Sequence, residues 1–279
     1  FLFSALALFL LVCCSEKIDR HALVQRNNPH LTSIDTLASL TVGNGHFAFT
    51  ADVTGLQTFP ELYSKGVPLG TMSDWGWHSF PNTENYRREE YLQSFDFGHG
   101  HEEVYACQLK DPRGKGASDY FRINPHRLHL GVIGFEGLCP SCLDNIDQSL
   151  DMYDGVLRSN FEYEGKAVKV LSSCDPEKDM LAFSIDNPAL TPVALRFPYP
   201  TGAHADDAMD WSKDEHHQVE VLSDDAGVAV LCHSLDSSRY YVKLSYEGAK
   251  LSRIGRNALR LEPEMQEWSF CAEICLDSP

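Results

Sequence analysis

Apolar and polar residues alternate along most of the chain, with the period of two that is typical of half-buried β-strands. In HFAFTADV, Phe47 and Phe49 fall on one face, whereas Asp52 falls on the opposite, polar face. The same alternation recurs in KAVKVLSS, MLAFSID, VALRFPY, QVEVLS, GVAVLCHS, YYVKLSY, NALRLE and EWSFCAEI. No segment of helix length has a clear period of 3.6. The pattern therefore predicts an all-β fold, a large antiparallel β-sandwich with few short helices.

The N-terminal segment has a different pattern. Residues 1–12, FLFSALALFLLV, contain no charge and are too short to span a bilayer, but they match the apolar region of a signal peptide. A cysteine pair follows, and Cys14, or its neighbour Cys13, is the candidate for lipidation in a lipobox-like segment. A plain cleaved signal and an ordinary buried segment are the alternatives. We expect an exported protein, periplasmic or anchored to the outer membrane as a lipoprotein.

Pattern and composition also predict the domain boundaries. Residues 1–14 are the signal-like segment, residues 15–36 are a polar tether with room for a short helix, and residues 37–279 are one sandwich domain without an internal linker.

Charge narrows the range of partners. The chain carries 23 Lys and Arg against 40 Asp and Glu, a formal net charge of −17, and it has no basic run. Nucleic-acid binding depends on clustered basic residues, so we expect no nucleic-acid partner, and membrane contact only through a lipid anchor. A neutral ligand fits this composition better.

Two kinds of metal-ligating residue occur in suggestive spacings. The motif CPSC contains Cys139 and Cys142 at metal-ligand spacing, and Cys271 and Cys275 are a conceivable second half of a zinc site. Because that second half lies in a strand-like run, we interpret the cysteines as buried thiols or a local disulfide and expect no metal and no cofactor. The histidine pairs His99 with His101 and His216 with His217 are predicted to be solvated loop residues.

The segment TMSDWGWHSFPN, residues 71–82, places two tryptophans in a loop-like stretch. An indole face packs well against the C–H face of a sugar, while neighbouring polar groups bind hydroxyls. The candidate sugar-binding residues are Trp75, Trp77 and His78, with Asp74 and Asn82 as weaker polar contacts. The alternative is that both tryptophans are structural and close one end of the sandwich.

Three stretches together resemble a known family. They are the run from SLTVGNGHFAF to the DWGWHSFPN loop, then INPHRLHLGVIGF, then QSLDMYDGVLRSNFEYEGKAVKVLSSCDPEKDMLAFSI. They look like the N-terminal region of bacterial family-65-like glycoside hydrolases of the six-hairpin glycosidase superfamily, over roughly residues 36–275. The resemblance implies a β-supersandwich similar to galactose mutarotase, followed by an (α/α)6 barrel that carries the catalytic glutamates. It also implies that a sandwich loop reaches over the mouth of the barrel.

Catalytic acid/base couples are defined by the distance between two carboxylates in space, so sequence spacing alone cannot identify one. No pair of Asp or Glu in this sequence can be assigned such a role. We therefore expect no catalytic residue in this chain, whose partners are an oligosaccharide or glycoside substrate and its own downstream catalytic domain. The longer protein to which this chain would belong is expected to be a glycosidase, with a phosphorylase as the second choice. The alternatives are a free-standing carbohydrate-binding sandwich and a sugar epimerase of the mutarotase type, which uses His and Glu as base and acid.

Overall fold

A computed structural model describes residues 17–203 and 208–279. The signal-like segment 1–14 and the candidate lipidation site at Cys14 lie outside the described residues. Among the helices of the described ranges, none combines the length and the apolar character that crossing a membrane requires.

Short strands dominate the described residues. They are β1 (His30–Leu31), β2 (Leu40–Gly43), β3 (Phe47–Ala51), β4 (Gly70–Ser73), β5 (Trp77–His78), β6 (Leu92–Asp96), β7 (Glu102–Ala106), β8 (His126–Arg127), β9 (Val132–Phe135), β10 (Leu143–Asp151), β11 (Val156–Tyr163), β12 (Lys166–Cys174), β13 (Met180–Asp186), β14 (Val193–Arg196), β15 (Tyr199–Pro200), β16 (Met209–Asp210), β17 (His217–Asp225), β18 (Val228–Leu235), β19 (Ser238–Glu247), β20 (Ala249–Gly255), β21 (Ala258–Pro263) and β22 (Glu267–Cys275). The α-helices are α1 (Arg20–Gln25), α2 (Pro60–Tyr63) and α3 (Pro112–Ile123), and 3₁₀ turns occupy Arg88–Tyr91, Pro140–Cys142 and Trp211–His216.

The strands form an antiparallel sandwich, which confirms the predicted all-β class. One layer is a nine-stranded sheet in the order β1-β10-β11-β12-β13-β22-β19-β18-β17. The facing layer contains the three-stranded sheet β2-β3-β4 and the four-stranded sheet β20-β21-β14-β9. Three small pairs, β5-β8, β6-β7 and β15-β16, lie outside these sheets.

The core lies between the two layers. Phe49 of β3 is fully buried and meets Phe183 of β13 edge to face, with ring centroids 5.5 Å apart. Phe135 of β9 meets Phe161 of β11 at 6.2 Å in the same way. Such contacts follow directly from the alternation, because every second side chain points inward. Replacing Phe49 with Ala would leave a cavity and cost about 3 to 5 kcal/mol of unfolding free energy.

Asp52 does not follow the exposure that this alternation predicts. Its place on the polar face of the β3 pattern predicts exposure, but it is fully buried. The strand ends at Ala51, and the carboxylate closes the following turn by accepting hydrogen bonds from the Thr54 backbone at 2.8 Å, the Thr54 hydroxyl at 2.6 Å and the Phe59 backbone at 2.8 Å. Burial raises the pKa of Asp52 to about 6, against the lowering effect of these hydrogen bonds.

Part of the predicted tether contributes to the sandwich. Within residues 17–36, α1 forms the short helix, and β1 then pairs with β10, His30 opposite Ser149. His30 Nε2 also lies 2.6 Å from Asp147 Oδ1. The nine-stranded sheet thus starts a few residues before the predicted boundary at residue 37.

Helix α3 is twelve residues long and was not predicted, because its sequence has no clear period of 3.6. Asp111 caps its N-terminus by accepting from Gly114 N at 2.8 Å, and Pro112 occupies the first turn. Two glycines lower its helix propensity, but a Cβ at Gly116 would collide with the Tyr86 hydroxyl. Close packing, rather than an amphipathic face, therefore explains the glycine at this position.

The cysteines and one histidine differ from expectation. All seven cysteines of the described ranges are free thiols in this structure. Cys142 is exposed and Cys139 half-buried, so neither matches a buried thiol. His217, predicted to be solvated, is buried, with Nδ1 2.7 Å from His233 Nε2.

Candidate functional site

Residues 71–82 fold as a tight turn between two strands. After β4, Gly76 N donates to Ser73 O at 3.1 Å and Trp77 N donates to Trp75 O at 2.8 Å. The chain then enters β5, which pairs with β8 so that Trp77 lies opposite Arg127. Because of this turn, the two tryptophans point to different environments.

Trp75 points inward. Its Nε1 donates to Asp179 Oδ2 at 2.7 Å, and Ser73 Oγ donates to the same oxygen at 2.6 Å. The indole packs against the core, with its ring 6.2 Å from that of Tyr240. The Asp179 carboxylate thus fixes the start of the loop.

His78 is also anchored. It is buried, with Nδ1 2.9 Å from Ser238 Oγ and Nε2 3.0 Å from Asp236 Oδ2. Tyr199 donates to the same Asp236 oxygen at 2.6 Å. Burial, followed by the neighbouring His126, lowers the pKa of His78, and Asp236 opposes this effect. His78 is therefore held as a neutral ring that fixes the end of β5.

Trp77 points outward. It is 46% exposed, its Nε1 donates to Asp74 O at 3.0 Å, and the Arg127 guanidinium lies 4.1 Å from the ring centroid. Arg127 Nη1 in turn donates to Ser73 O at 2.8 Å and to Asp74 O at 3.0 Å. The ring orientation is therefore fixed by a cation–π contact and a hydrogen bond although nearly half of the side chain faces solvent.

The two weaker candidates are placed differently. Asp74 is exposed beside Trp77, and its Oδ2 lies 2.8 Å from His46 Nδ1. Asn82 closes a local turn, since its Oδ1 accepts from Tyr86 N at 2.8 Å and its Nδ2 donates to Tyr86 O at 2.9 Å. The amide of Asn82 is thus used within its own loop.

A cleft of about 480 Å³ opens beside Trp77. Its lining includes Pro68, Met72, Trp77, His126, Arg127 and His129. A roomier hollow of about 610 Å³ lies beside the edge strand β17 and is open to solvent. Its lining has no aromatic side chain, so the cleft at Trp77 is the better match to a sugar site, which combines an aromatic surface with polar groups.

The residues that frame this cleft were only partly identified from the sequence. Arg127 and His126 belong to the INPHRLHLGVIGF stretch, but nothing in it indicates that β8 pairs with β5. Asp179, which orients Trp75, is more than a hundred positions away in the chain. Pairings across such distances become visible only when the sheets are assembled.

Among the residues that the structure describes, no group of three or more His, Cys, Asp or Glu could hold a metal ion. Two of the buried histidines, His217 and His233, pair with each other and with a hydroxyl group. His217 contacts His233, whose Nδ1 lies 2.8 Å from the Tyr240 hydroxyl. Burial lowers the pKa values of both rings.

The chain was compared with known sequences and solved structures. No protein-family model and no curated protein sequence matches the chain. The chain is similar to a structure titled "Putative kojibiose phosphorylase from human microbiome", with 10% sequence identity and a TM-score of 0.45. The match covers 89% of this chain but 32% of that one, so the chain spans about a third of that protein's length.

Proposed function

We propose that the chain is the sandwich part of an exported carbohydrate-active enzyme, and that residues 71–82 contribute a sugar-binding surface to its active site. Trp77 carries this proposal, because its indole is half-exposed yet held in a fixed orientation at the mouth of a cleft. A preoriented aromatic ring binds a sugar without first losing side-chain freedom. The exposed carboxylate of Asp74 stands next to it as a hydroxyl acceptor.

The inner residues of the loop have a supporting role in this proposal. Trp75 and His78 anchor the two ends of the turn through Asp179 and Asp236. Catalytic carboxylates would come from a helical barrel that follows the sandwich, as the resemblance to family-65-like glycoside hydrolases implies. The reaction of the whole protein would be hydrolysis of a glycoside or, alternatively, phosphorolysis.

Sugar binding by the chain itself tests the proposal. Isothermal titration with a panel of neutral glucose disaccharides should detect binding by the wild type, and Trp77→Ala should weaken it roughly 5- to 150-fold, as expected for losing about 1 to 3 kcal/mol of apolar contact. Trp211→Ala is the matched control, because Trp211 is 37% exposed and lies under Arg196, with 4.9 Å to the ring centroid. Equal affinity of Trp77→Ala and wild type for every disaccharide, or equal losses in both variants, would contradict the proposal.

A second assay separates this role from that of a complete enzyme. The purified chain should not turn over aryl glycosides or interconvert sugar anomers faster than buffer. Turnover that a single substitution within the chain abolishes would favour the self-contained epimerase instead.

Export and anchoring are tested in cells that produce the full-length protein. Replacing Cys13 and Cys14 with Ser should move it from the membrane fraction to the soluble fraction. If the distribution stays the same, the lipid anchor is wrong.

A further inference from the structure

The motif CPSC forms the turn that connects the two layers of the sandwich, between β9 and β10. Cys139 precedes the 3₁₀ turn Pro140–Cys142, and Cys142 N donates to Cys139 O at 3.0 Å. A turn closed in this way brings its end Cα atoms to within about 7 Å. A disulfide requires Cα atoms about 4.4 to 6.8 Å apart, so the backbone is already close to the geometry for a Cys139–Cys142 bond.

Neighbouring contacts hold this turn at both ends. Before it, Glu136 N donates to Pro192 O at 2.9 Å, and Arg260 binds the Glu136 carboxylate through two hydrogen bonds of 2.5 Å. After it, Leu143 is buried in the core. The two cysteines are therefore presented on a fixed connection.

The thiols of this turn are accessible. Cys139 Sγ lies 3.0 Å from Ser141 Oγ, on the residue that precedes Cys142. Cys142 is exposed and Cys139 half-buried, so an external reagent reaches the pair from solvent. Cys174, Cys271 and Cys275 differ, because burial raises the pKa of each of these thiols.

The thiols of the pair have different acidities. Interaction with the Cys142 thiol, and then with Ser141, lowers the pKa of Cys139, whereas interaction with Cys139 raises the pKa of Cys142. Since the thiolate is the nucleophile, Cys139 is the residue that attacks and Cys142 the residue that resolves.

We propose that Cys139 and Cys142 form a reversible dithiol–disulfide site that exchanges with small external disulfides such as oxidised glutathione. The Cys139 thiolate attacks one sulfur of the external disulfide, forms a mixed disulfide and releases one thiolate. The Cys142 thiolate then attacks Cys139 Sγ, which closes the intramolecular disulfide and releases the second thiolate. The pair is oxidised by two electrons and the external disulfide is reduced to two thiolates, which take up, through solvent, the two protons that the cysteines lose.

Redox titration of the whole chain tests this site. The protein is equilibrated in buffers of reduced and oxidised glutathione, quenched with acid and alkylated, and its peptides are mapped by mass spectrometry. The peptide with both cysteines should carry two alkyl groups in reducing buffer and none in oxidising buffer, where it has the mass of the disulfide, and excess reduced glutathione should restore the alkylated form. Under the same conditions Cys142→Ser should accumulate a glutathione adduct on Cys139, because the thiol that resolves the mixed disulfide is absent.

Cys107→Ser is the matched control, since Cys107 is also a half-buried free thiol but has no partner cysteine in its loop. This variant should keep the transition of the wild type, and circular dichroism should show that both variants are folded. The proposal fails if the CPSC peptide remains a dithiol in the most oxidising buffer. It also fails if the disulfide resists excess reduced glutathione, or if Cys142→Ser forms no glutathione adduct on Cys139.

Discussion

Only Gly76 separates Trp75 from Trp77, yet the two side chains have opposite environments. Trp75 belongs to an inner half of the loop, with Ser73 and His78, in which side-chain polar atoms bind buried or half-buried partners. Trp77 belongs to an outer half, with Asp74, that faces solvent and is held by Arg127. Residue type alone suggests one shared role for the two tryptophans, but the turn at Gly76 buries one ring as an anchor and leaves the other exposed.

The largest expected effect comes from removing the inner ring. Trp75→Ala deletes an indole packed against the core and leaves Asp179 without its Nε1 donor, so we expect the free energy of unfolding to fall by about 3 kcal/mol or more. Urea denaturation followed by circular dichroism measures this loss. If Trp75→Ala and Trp77→Ala had equal stability, the division into two halves would be wrong.

Removing the shared acceptor is the next largest change. Asp179→Ala leaves Ser73 Oγ and Trp75 Nε1 without the carboxylate that binds both, which should cost about 2 to 3 kcal/mol. Asp179→Asn keeps one acceptor oxygen and should lose less in the same urea titration. Glu177→Ala serves as an exposed control on the same connection. A result in which Asn is worse than Ala would show that the carboxylate is not acting as the acceptor.

Lowering the pH should reduce the free energy of unfolding, because several buried histidines resist protonation. Burial lowers the pKa values of five histidines near the inner half, and that of His129 reaches about 4. They are His78, His126, His129, His217 and His233. Below pH 6.5 the unfolded chain binds protons that these folded rings do not, so the free energy of unfolding falls as pH drops from 7.5 to 5.

Asp52 acts in the opposite direction. Its folded pKa of about 6 means that the folded state binds a proton between about pH 6 and 3.8 that the unfolded state has released, which adds stability as pH falls. One carboxyl opposes five imidazoles, so the net effect of acid remains a loss of stability.

Urea titrations of His129→Gln at pH 7.5 and 5.0 test this effect. Between these pH values the free energy of unfolding of the variant should drop by about 2 kcal/mol less than that of the wild type. His101→Gln, in the exposed β6-β7 hairpin, should match the wild type. A wild type that is more stable at pH 5.0 than at pH 7.5 would contradict the expected loss of stability in acid.

The smallest effect on stability belongs to the outer ring. Trp77→Ala loses a cation–π contact with Arg127 and one exposed hydrogen bond, so the free energy of unfolding should change by about 1 kcal/mol or less. The same urea titration measures it. A loss as large as that of Trp75→Ala would mean that Trp77 closes the sandwich and is not a free surface.

Local pattern predicted most of the fold. The alternating segments became β3, β12, β13, β14, β17, β18, β19, β21 and β22 because a period of two survives in any strand with one buried face. The pattern failed at Asp52, where a turn buries a carboxylate, and at α3, whose Asp111-Pro112 start was a helix signal that the glycines concealed. The candidate site was harder to predict, because it depends on pairings such as Trp75 with Asp179 and β5 with β8 that no local pattern contains.

The order of strands in the large sheet has a consequence for synthesis. Strands β10 to β13 form one run and β17 to β19 another, and β22 pairs with both β13 and β19 to join them. On the ribosome the two runs emerge first, each with an unpaired strand edge that is open to wrong pairing. Residues 267–275 emerge after every other described strand, so the nine-stranded sheet becomes continuous only after they have been made. A pause in translation before residue 267 would prolong exposure of the edges of β13 and β19, and protection of these two strands by chaperones matters most in that interval.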